Sequence, residues 1–214
     1  DYMKNCLQYN QFPKASLHKI PYFSDLPRCR QKEFGPFVFF AGRLIRQKGL
    51  GYLIRSMRYW PEDLHLVVAG DGPQKEFLSR LAERTGNGRK VVFLGAISNQ
   101  EMQNYYQKCL CLAVPSIWDE PFGIVGIEAM WCAKPVVAFD VGGIPEWLED
   151  KCNGLLIPRK DIRAFGKAIG LLFDNPKLAE QMGNEGRRLY SKKFRKKTHI
   201  KQLIDLFDSI KRNA

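Results

Sequence analysis

Five short apolar runs constrain most strongly what this chain can fold into. They cover residues 37–41, 64–70, 91–95, 109–115 and 135–140. Each run is almost continuously apolar, whereas a strand with one face in water alternates apolar and polar residues. The runs therefore predict strands that are buried on both faces, as in a parallel sheet.

Helical patterns lie between these runs. Apolar residues recur at helical spacing over 50–57 and 77–81, and a further helix is predicted over 123–131. Ser98 and Glu101 form a capping box, the pattern that marks a helix N-terminus. Because strands that alternate with helices are joined by right-handed crossovers, the chain is predicted to be α/β, with a Rossmann-like parallel sheet flanked by helices.

The chain divides into three predicted segments. Residues 1–36 contain a short helical stretch followed by prolines, and they are predicted to be the end of a missing N-terminal domain plus a linker. Residues 37–190 are predicted to be the Rossmann-like domain. Residues 191–214 are predicted to be a basic C-terminal helix. Apolar residues at helical spacing over 162–172 and a proline at 176 predict two helices before it.

Positive charge is concentrated at the C-terminal end. The chain carries 34 basic and 22 acidic residues, a net charge of +12, and the segment from Tyr190 to Ala214 holds eight of the basic and two of the acidic residues. A basic tail favours an anionic partner such as a membrane surface, a nucleic acid or a phosphate ligand, and it is equally typical of a solvated helix face. A nucleic-acid binder is suggested by charge alone, because no basic face with interleaved aromatic residues is present.

The six cysteines are scattered through the sequence and form no C-x-x-C pair. In a chain of this length the pattern predicts no disulfide framework and favours a reducing cytoplasm. The three histidines are not spaced with the cysteines, so no zinc site is expected.

No apolar run reaches the ~18 residues of a membrane-spanning helix. The expected location is cytoplasmic.

Chemically unusual residues collect where the predicted strands end. In an open parallel sheet, ligands bind outside the carboxyl ends of the strands. Glycine turns there let a ligand approach the backbone, and helix N-termini offer free N–H groups to an anion. Because Arg43 and Lys48 add two cations, this edge is predicted to bind a diphosphate. The turns concerned are Gly42-Arg43, Gly70-Asp71-Gly72-Pro73, Gly95, Glu120-Pro121-Phe122-Gly123 and Gly142-Gly143.

Two carboxylates accompany the predicted diphosphate site. Glu120 and Glu128 lie eight positions apart, which is ~12 Å along a helix axis at 1.5 Å per residue. They are too far apart to act as one acid–base pair. A carboxylate accepts two hydrogen bonds from a vicinal diol, so the two residues are predicted to bind hydroxyl groups at two points of a long ligand, such as a ribose and a hexose.

Taken in order, these motifs resemble the C-terminal domain of the family 4 retaining glycosyltransferases, which have the GT-B fold. The resemblance covers roughly residues 37–212. It implies that the sheet is the C-terminal half of a GT-B enzyme. The motifs are Gly42-Arg43-Leu44 with Lys48-Gly49, Ala69-Gly70-Asp71-Gly72-Pro73, Phe93-Leu94-Gly95, Pro115-Ser116 with Glu120-Pro121-Phe122-Gly123, Glu128-Ala129-Met130 and Pro135-Val136-Val137.

The resemblance implies a role for each site residue. Arg43 and Lys48 would bind the donor diphosphate, and Glu128 would hold the ribose hydroxyls. Glu120 would contact the donor sugar near the reacting carbon, and with the two cations it forms the implied catalytic set. Backbone N–H groups after Glu120 would meet the sugar and the β-phosphate, and the loop at 94–97 would contact the base. The implied donor-binding residues are Gly42, Arg43, Lys48, Leu94, Gly95, Ile97, Glu120, Phe122, Gly123, Ile124 and Glu128.

The resemblance also implies what the whole enzyme needs. No metal or cofactor is expected, because cationic side chains and helix dipoles neutralise the leaving diphosphate and no Asp-x-Asp motif is present. The enzyme would transfer a sugar from a nucleoside diphosphate to a saccharide or lipid-linked acceptor with retention at the anomeric carbon. The missing N-terminal domain would hold the acceptor, so this chain alone would be inactive. The basic tail would cross back to that domain and support peripheral attachment at the inner membrane face.

Two alternatives from other classes remain open at this point. A nucleotide-sugar 2-epimerase shares the fold and also binds a diphosphate, and a non-catalytic nucleotide-sugar-binding module is the other. The sequence departs from the family at Ala133, where members often carry glycine. Glycine suits a left-handed helix C-cap, so alanine there is expected to cost ~1 kcal/mol of stability.

Overall fold

The computed structural model describes residues 1–14, 17–24, 26, 29 and 34–212. Pro27 of the predicted linker and the last two residues of the predicted C-terminal helix lie outside this range. Six parallel strands form one sheet in the order β3-β2-β1-β4-β5-β6. The strands are β1 Phe37–Ala41, β2 His65–Ala69, β3 Val91–Gly95, β4 Cys111–Val114, β5 Val136–Phe139 and β6 Gly154–Ile157.

The strand order confirms the predicted Rossmann-like parallel sheet. All five predicted strands are present as β1 to β5, and β6 was not predicted. The chain builds one half of the sheet outward from β1 to β3, then crosses back to place β4 on the other side of β1. The strand order therefore reverses between β1 and β4, and in sheets of this kind a crevice opens at that point. Every residue of β4 and β5 is buried, which explains their uninterrupted apolar sequence.

Helices cover both faces of the sheet. The helix α2 packs against α3 and α6, while α5 packs against α4 and α7. The described helices are α1 Tyr2–Tyr9, α2 Leu50–Ser56, α3 Lys75–Arg84, α4 Asn99–Lys108, α5 Ile124–Trp131, α6 Ile162–Asp174, α7 Pro176–Lys193 and α8 Lys196–Arg212.

Two predicted helix caps are confirmed. At the start of α4, Ser98 Oγ accepts the Glu101 N–H and the Glu101 carboxylate accepts the Ser98 N–H, at 3.3 and 2.9 Å. At the end of α5, Ala133 has φ 53°, the left-handed conformation that glycine adopts without strain. Its N–H donates to the Met130 carbonyl, and the Lys134 N–H donates to the Ala129 carbonyl, both at 3.0 Å. These two bonds form a Schellman motif.

One prediction about the cysteines is wrong. The scattered pattern predicted no disulfide framework, whereas Cys29 and Cys132 are joined by a disulfide, with Cα atoms 4.9 Å apart. They lie 103 positions apart in the sequence. The opening segment passes beside the end of α5 and brings Cys29 to Cys132, a contact that no local pattern reveals. The bond ties the predicted linker to the Rossmann-like domain.

The last helix is the least buried part of the fold. No residue of α8 is buried, and its large apolar residues face outward, with 36 to 55% of their surface exposed. The predicted boundary at residue 190 falls inside α7, which continues to Lys193. None of the described helices combines the length and apolar character needed to cross a lipid bilayer. The exposed apolar residues of α8 are Ile200, Leu203, Ile204, Phe207 and Ile210.

We expect Gly126→Ala to destabilise the domain by about 1–3 kcal/mol, because overpacking a filled core has costs of that order. A Cβ atom on Gly126 of α5 would lie 2.0 Å from the indole ring of Trp147, whose side chain is buried. The matched control is Gly170→Ala on α6, where the nearest atoms would lie at 3.8 Å. That change is expected to stabilise by about 0.5–1 kcal/mol. Urea unfolding measures both, and equal effects of the two changes would contradict this packing.

Candidate functional site

A cavity of about 460 Å³ opens at the carboxyl ends of β1 and β4, where the strand order reverses. Its walls come from the end of β1 with residues 42 and 43, from the end of β4 with residues 115 and 116, and from the start of α5. Lys48, Trp118 and Glu120 complete the wall. The position agrees with the predicted location of the ligand site.

The Glu120 side chain is held by three neighbouring side chains. It is 7% exposed, and three donors reach the same carboxylate oxygen, Oε2. Lys48 Nζ donates at 2.7 Å, and Ser116 Oγ and Trp118 Nε1 each donate at 3.1 Å. The Lys48 ammonium also lies 5.9 Å from the centre of the Trp118 ring. Two hydrogen bonds and an ion pair therefore fix the orientation of this carboxylate.

The backbone around Glu120 is also constrained. Gly143 N–H donates to the Glu120 carbonyl at 2.7 Å, which ties the loop after β5 to the loop before α5. Gly123 is the N-cap of α5 and has φ 83°. Because α5 begins at Ile124, its first turn points free N–H groups and the positive end of the helix dipole toward the cavity.

The structure brings most of the predicted site residues together. The residues that share the cavity wall are Gly42, Arg43, Lys48, Glu120, Phe122, Gly123 and Ile124. Leu94, Gly95, Ile97 and Glu128 lie outside this wall. The first three belong to the end of β3 and the loop after it, at one edge of the sheet, and the Gly95 carbonyl accepts the Gly70 N–H at 2.7 Å.

Glu128 lies further along α5 and contacts a different group of residues. Its Oε2 accepts the Tyr106 hydroxyl at 2.9 Å, and it also accepts a hydrogen bond from the Ser24 side chain. Burial raises the pKa of the Glu128 carboxyl above its usual value, and these two hydrogen bonds lower it in part. Burial, followed by the charge of Glu128, raises the pKa of the Tyr106 phenol well above its usual value.

Trp118 and Tyr22 line the cavity but were not among the predicted site residues. Trp118 lies between two motif residues, Ser116 and Glu120, so an aromatic residue inside that motif was an available signal. Tyr22 belongs to the opening segment, where no periodic pattern points to a ligand site. Its ring lies 5.2 Å from the ring of Phe122 on the cavity wall. Within the described part of the chain, no three His, Cys, Asp or Glu side chains are grouped so that they could bind a metal ion.

The fold and the site together define a Rossmann-like domain with an open, charged cavity at the point where its strand order reverses. A family model described as glycosyl transferases group 1 matches residues 28–189. The chain belongs to this family.

Named relatives agree with the family. The alpha-D-kanosaminyltransferase of Streptomyces kanamyceticus is 29% identical over 217 residues, which covers 94% of this chain and 56% of the relative. The alpha-maltose-1-phosphate synthase of Mycolicibacterium smegmatis is 32% identical over 187 residues, which covers 82% of this chain and 48% of the relative. The chain therefore spans about half the length of the curated relatives it matches.

Solved structures of GT-B glycosyltransferases share the fold. Sucrose-phosphate synthase from Thermosynechococcus elongatus superposes with a TM-score of 0.86 at 26% identity, over 99% of this chain and 57% of that protein. Anabaena HepE in complex with UDP-glucose superposes with a TM-score of 0.78 at 27% identity, over 82% of this chain and 49% of that protein.

We expect Lys48→Met to destabilise the domain by about 1–3 kcal/mol, because a nearly buried carboxylate would lose a charged hydrogen-bond donor. The side chains of Lys48 and Glu120 are only 24 and 9% exposed. The matched control is Lys75→Met, which breaks an ion pair with Asp71 whose side chains are 48 and 55% exposed. That change should leave stability almost unaltered. Urea unfolding of both variants is the measurement, and a Lys48→Met variant as stable as the control would contradict a structural role for the pair.

Proposed function

We propose that this chain is the donor-binding half of a family 4 retaining glycosyltransferase, which transfers a sugar from a nucleoside diphosphate to an acceptor. The observation that carries the proposal is the Lys48–Glu120 pair, which is fixed in the cavity beside the N-terminus of α5. Cations and a helix N-terminus suit a diphosphate, and a fixed carboxylate suits a sugar hydroxyl.

The donor diphosphate would lie between Arg43, Lys48 and the first turn of α5. Arg43 is exposed on the cavity wall, so its guanidinium is accessible to a ligand. Lysine has three donor positions, and the bond to Glu120 uses one of them, so Lys48 can bind a phosphate oxygen at the same time. These groups would stabilise the negative charge that develops on the leaving diphosphate, without a metal ion.

Glu120 would position the transferred sugar. Its three donors all contact Oε2, and Oε1 would accept a sugar hydroxyl close to the reacting carbon. Glu128 would bind the ribose hydroxyls, and the loop at residues 94–97 would contact the base. Anabaena HepE was solved with UDP and with UDP-glucose, so UDP and UDP-glucose are the first probes for this chain.

The acceptor would bind to a domain that precedes this chain. The relatives are about twice as long as the part that matches, which supports a second domain of similar size. Residues 1–36 would be the end of that domain with its linker, and the basic segment 191–214 would cross back to it. The exposed apolar face of α8 supports such a contact, because large apolar side chains at helical spacing seldom remain in water.

We expect this chain to bind UDP weakly and to transfer no sugar. UDP should raise the melting temperature modestly and change the emission of Trp118, which lines the cavity and is 39% exposed. Trp118→Phe should remove the change in fluorescence, whereas Trp131→Phe, outside the cavity wall, should leave it. With UDP-glucose labelled in the sugar, no glycosylated product should form, because the acceptor half supplies positioning that can be worth ~7–11 kcal/mol.

Three outcomes would contradict the proposed function or its division between two domains. Robust transfer by the purified chain would show that no second domain is needed for catalysis. Release of a 2-epimerised sugar in place of a glycosylated product would support the epimerase. Binding of UDP without any reaction by the full-length protein would support the non-catalytic module.

The whole enzyme is proposed to be cytoplasmic and to attach peripherally to the inner membrane face through its basic tail. We expect the protein to float with vesicles of anionic lipid at low salt and to be released at high salt, since each basic residue near an anionic surface contributes about 1 kcal/mol. The triple change of Lys197, Lys201 and Lys211 to Gln should weaken flotation, and the same change at Lys75, Lys90 and Lys151 should not. Flotation that ignores lipid charge and salt would exclude this role of the tail.

A further inference from the structure

Glu128 lies where three segments of the chain meet. It projects from α5, the Tyr106 hydroxyl reaches it from α4, and the Ser24 hydroxyl reaches it from the opening segment. Tyr106 is fully buried, and Ser24 is only 7% exposed. Both hydroxyl groups are therefore removed from water and donate to the same carboxylate.

The Tyr106 hydroxyl is not needed to fill the core. The ring already packs edge-on against Phe39, with ring centres 5.2 Å apart, and phenylalanine would make the same contact. A buried hydroxyl without a partner costs about 1–3 kcal/mol, so tyrosine is favoured over phenylalanine only where a partner is fixed nearby. Glu128 is that partner at 2.9 Å.

The Ser24 hydroxyl is positioned from another side of the molecule. The Ser24 carbonyl accepts the Tyr190 hydroxyl at 3.0 Å, which ties the opening segment to α7. The Pro21 carbonyl lies 2.7 Å from Nδ1 of His199 on α8. The segment that carries Ser24 is therefore held by both C-terminal helices, and its hydroxyl has a defined position relative to α5.

After these hydrogen bonds, Glu128 has as many free acceptor positions as a ribose has hydroxyl groups to donate. An ionised carboxylate offers about four lone-pair sites, and two of them are used by the hydroxyl donors. The remaining two correspond in number to the 2′ and 3′ hydroxyls of a ribose. The Tyr106 donor, fixed at 2.9 Å, also restrains the carboxylate, which lowers the entropy lost when a ligand binds.

We infer that Tyr106 and Ser24 are positioning residues for Glu128, and that they orient its carboxylate toward the ribose of the bound nucleotide. This inference rests on the proposed function, in which Glu128 binds ribose. Ser24 belongs to the segment that leads into the domain. The geometry of the nucleotide site therefore depends on how that segment packs against α7 and α8.

The experiment compares the affinities of UDP and 2′,3′-dideoxy-UDP by calorimetry, with the corresponding ADP and GDP pairs alongside. The ratio of the two affinities isolates the ribose contact, because the base and diphosphate are identical. We expect wild type to prefer the ribose form clearly. Tyr106→Phe and Ser24→Ala should each reduce the ratio about threefold to tenfold, the factor that one net hydrogen bond represents, with little change in affinity for the dideoxy form.

Two variants serve as controls. Tyr105→Phe removes a hydroxyl from the neighbouring position of the same helix, where the ring stacks on Phe39, and it should keep the wild-type ratio. Ser24→Thr retains a hydroxyl and should restore the ratio that Ser24→Ala loses. Unchanged affinity for the dideoxy nucleotide shows that each variant is folded. A purely structural defect would weaken binding of both nucleotides equally and leave the ratio of their affinities unaltered.

The outcomes distinguish failure of the positioning roles from failure of the proposed function. A wild-type preference for ribose that survives in both Tyr106→Phe and Ser24→Ala overturns the positioning roles and leaves the proposed function standing. A wild-type ratio of one shows that Glu128 does not bind ribose, and it overturns both that assignment and this inference. Binding of none of the nucleotide pairs overturns the proposed function itself.

Discussion

Lys48 can reach Glu120 because the loops that carry them touch neighbouring loops through their backbones. A Cβ atom on Gly49, the residue after Lys48, would lie 1.7 Å from the Pro115 carbonyl oxygen at the end of β4. A Cβ atom on Gly142 would lie 2.4 Å from the Glu120 carbonyl oxygen. Both glycines have positive φ, at 70 and 55°. Any side chain at these positions would separate the loops, so the 2.7 Å ion pair depends on contacts that only glycine permits.

The sequence predicted the sheet because its strands are buried on both faces. A strand that is buried on both faces has a continuous apolar sequence, and this pattern can be recognised without knowing which strands are neighbours. The strand β6 was missed because its apolar run covers only residues 155–157, between a glycine that follows a turn and a proline. The Cys29–Cys132 disulfide was missed for a different reason, since it joins residues 103 positions apart through the path of the opening segment.

The site was predictable where its residues lie in the turns that follow strands. The residues that follow parallel strands all lie at one edge of the sheet. Arg43 and Glu120 could therefore be assigned to that edge from their positions in the sequence. Glu128 was harder to place, because a residue on the second turn of a helix can face the cavity or the neighbouring helix. The structure places it beside Tyr106 of α4. Tyr22 could not be predicted, because its place in the cavity wall follows from how the opening segment packs.

The charges of the cavity would allow a carboxylate to lie beside the diphosphate of the proposed function. A diphosphate near Glu120 would be repelled if that carboxylate acted alone, and repulsion between like charges grows as water is excluded. Lys48 offsets the charge of Glu120 directly. Arg43 and the N-terminus of α5 then remain as excess positive potential on the same wall. In the proposed function, the ion pair would hold a carboxylate ready for a sugar hydroxyl and would leave the rest of the cavity favourable to phosphate.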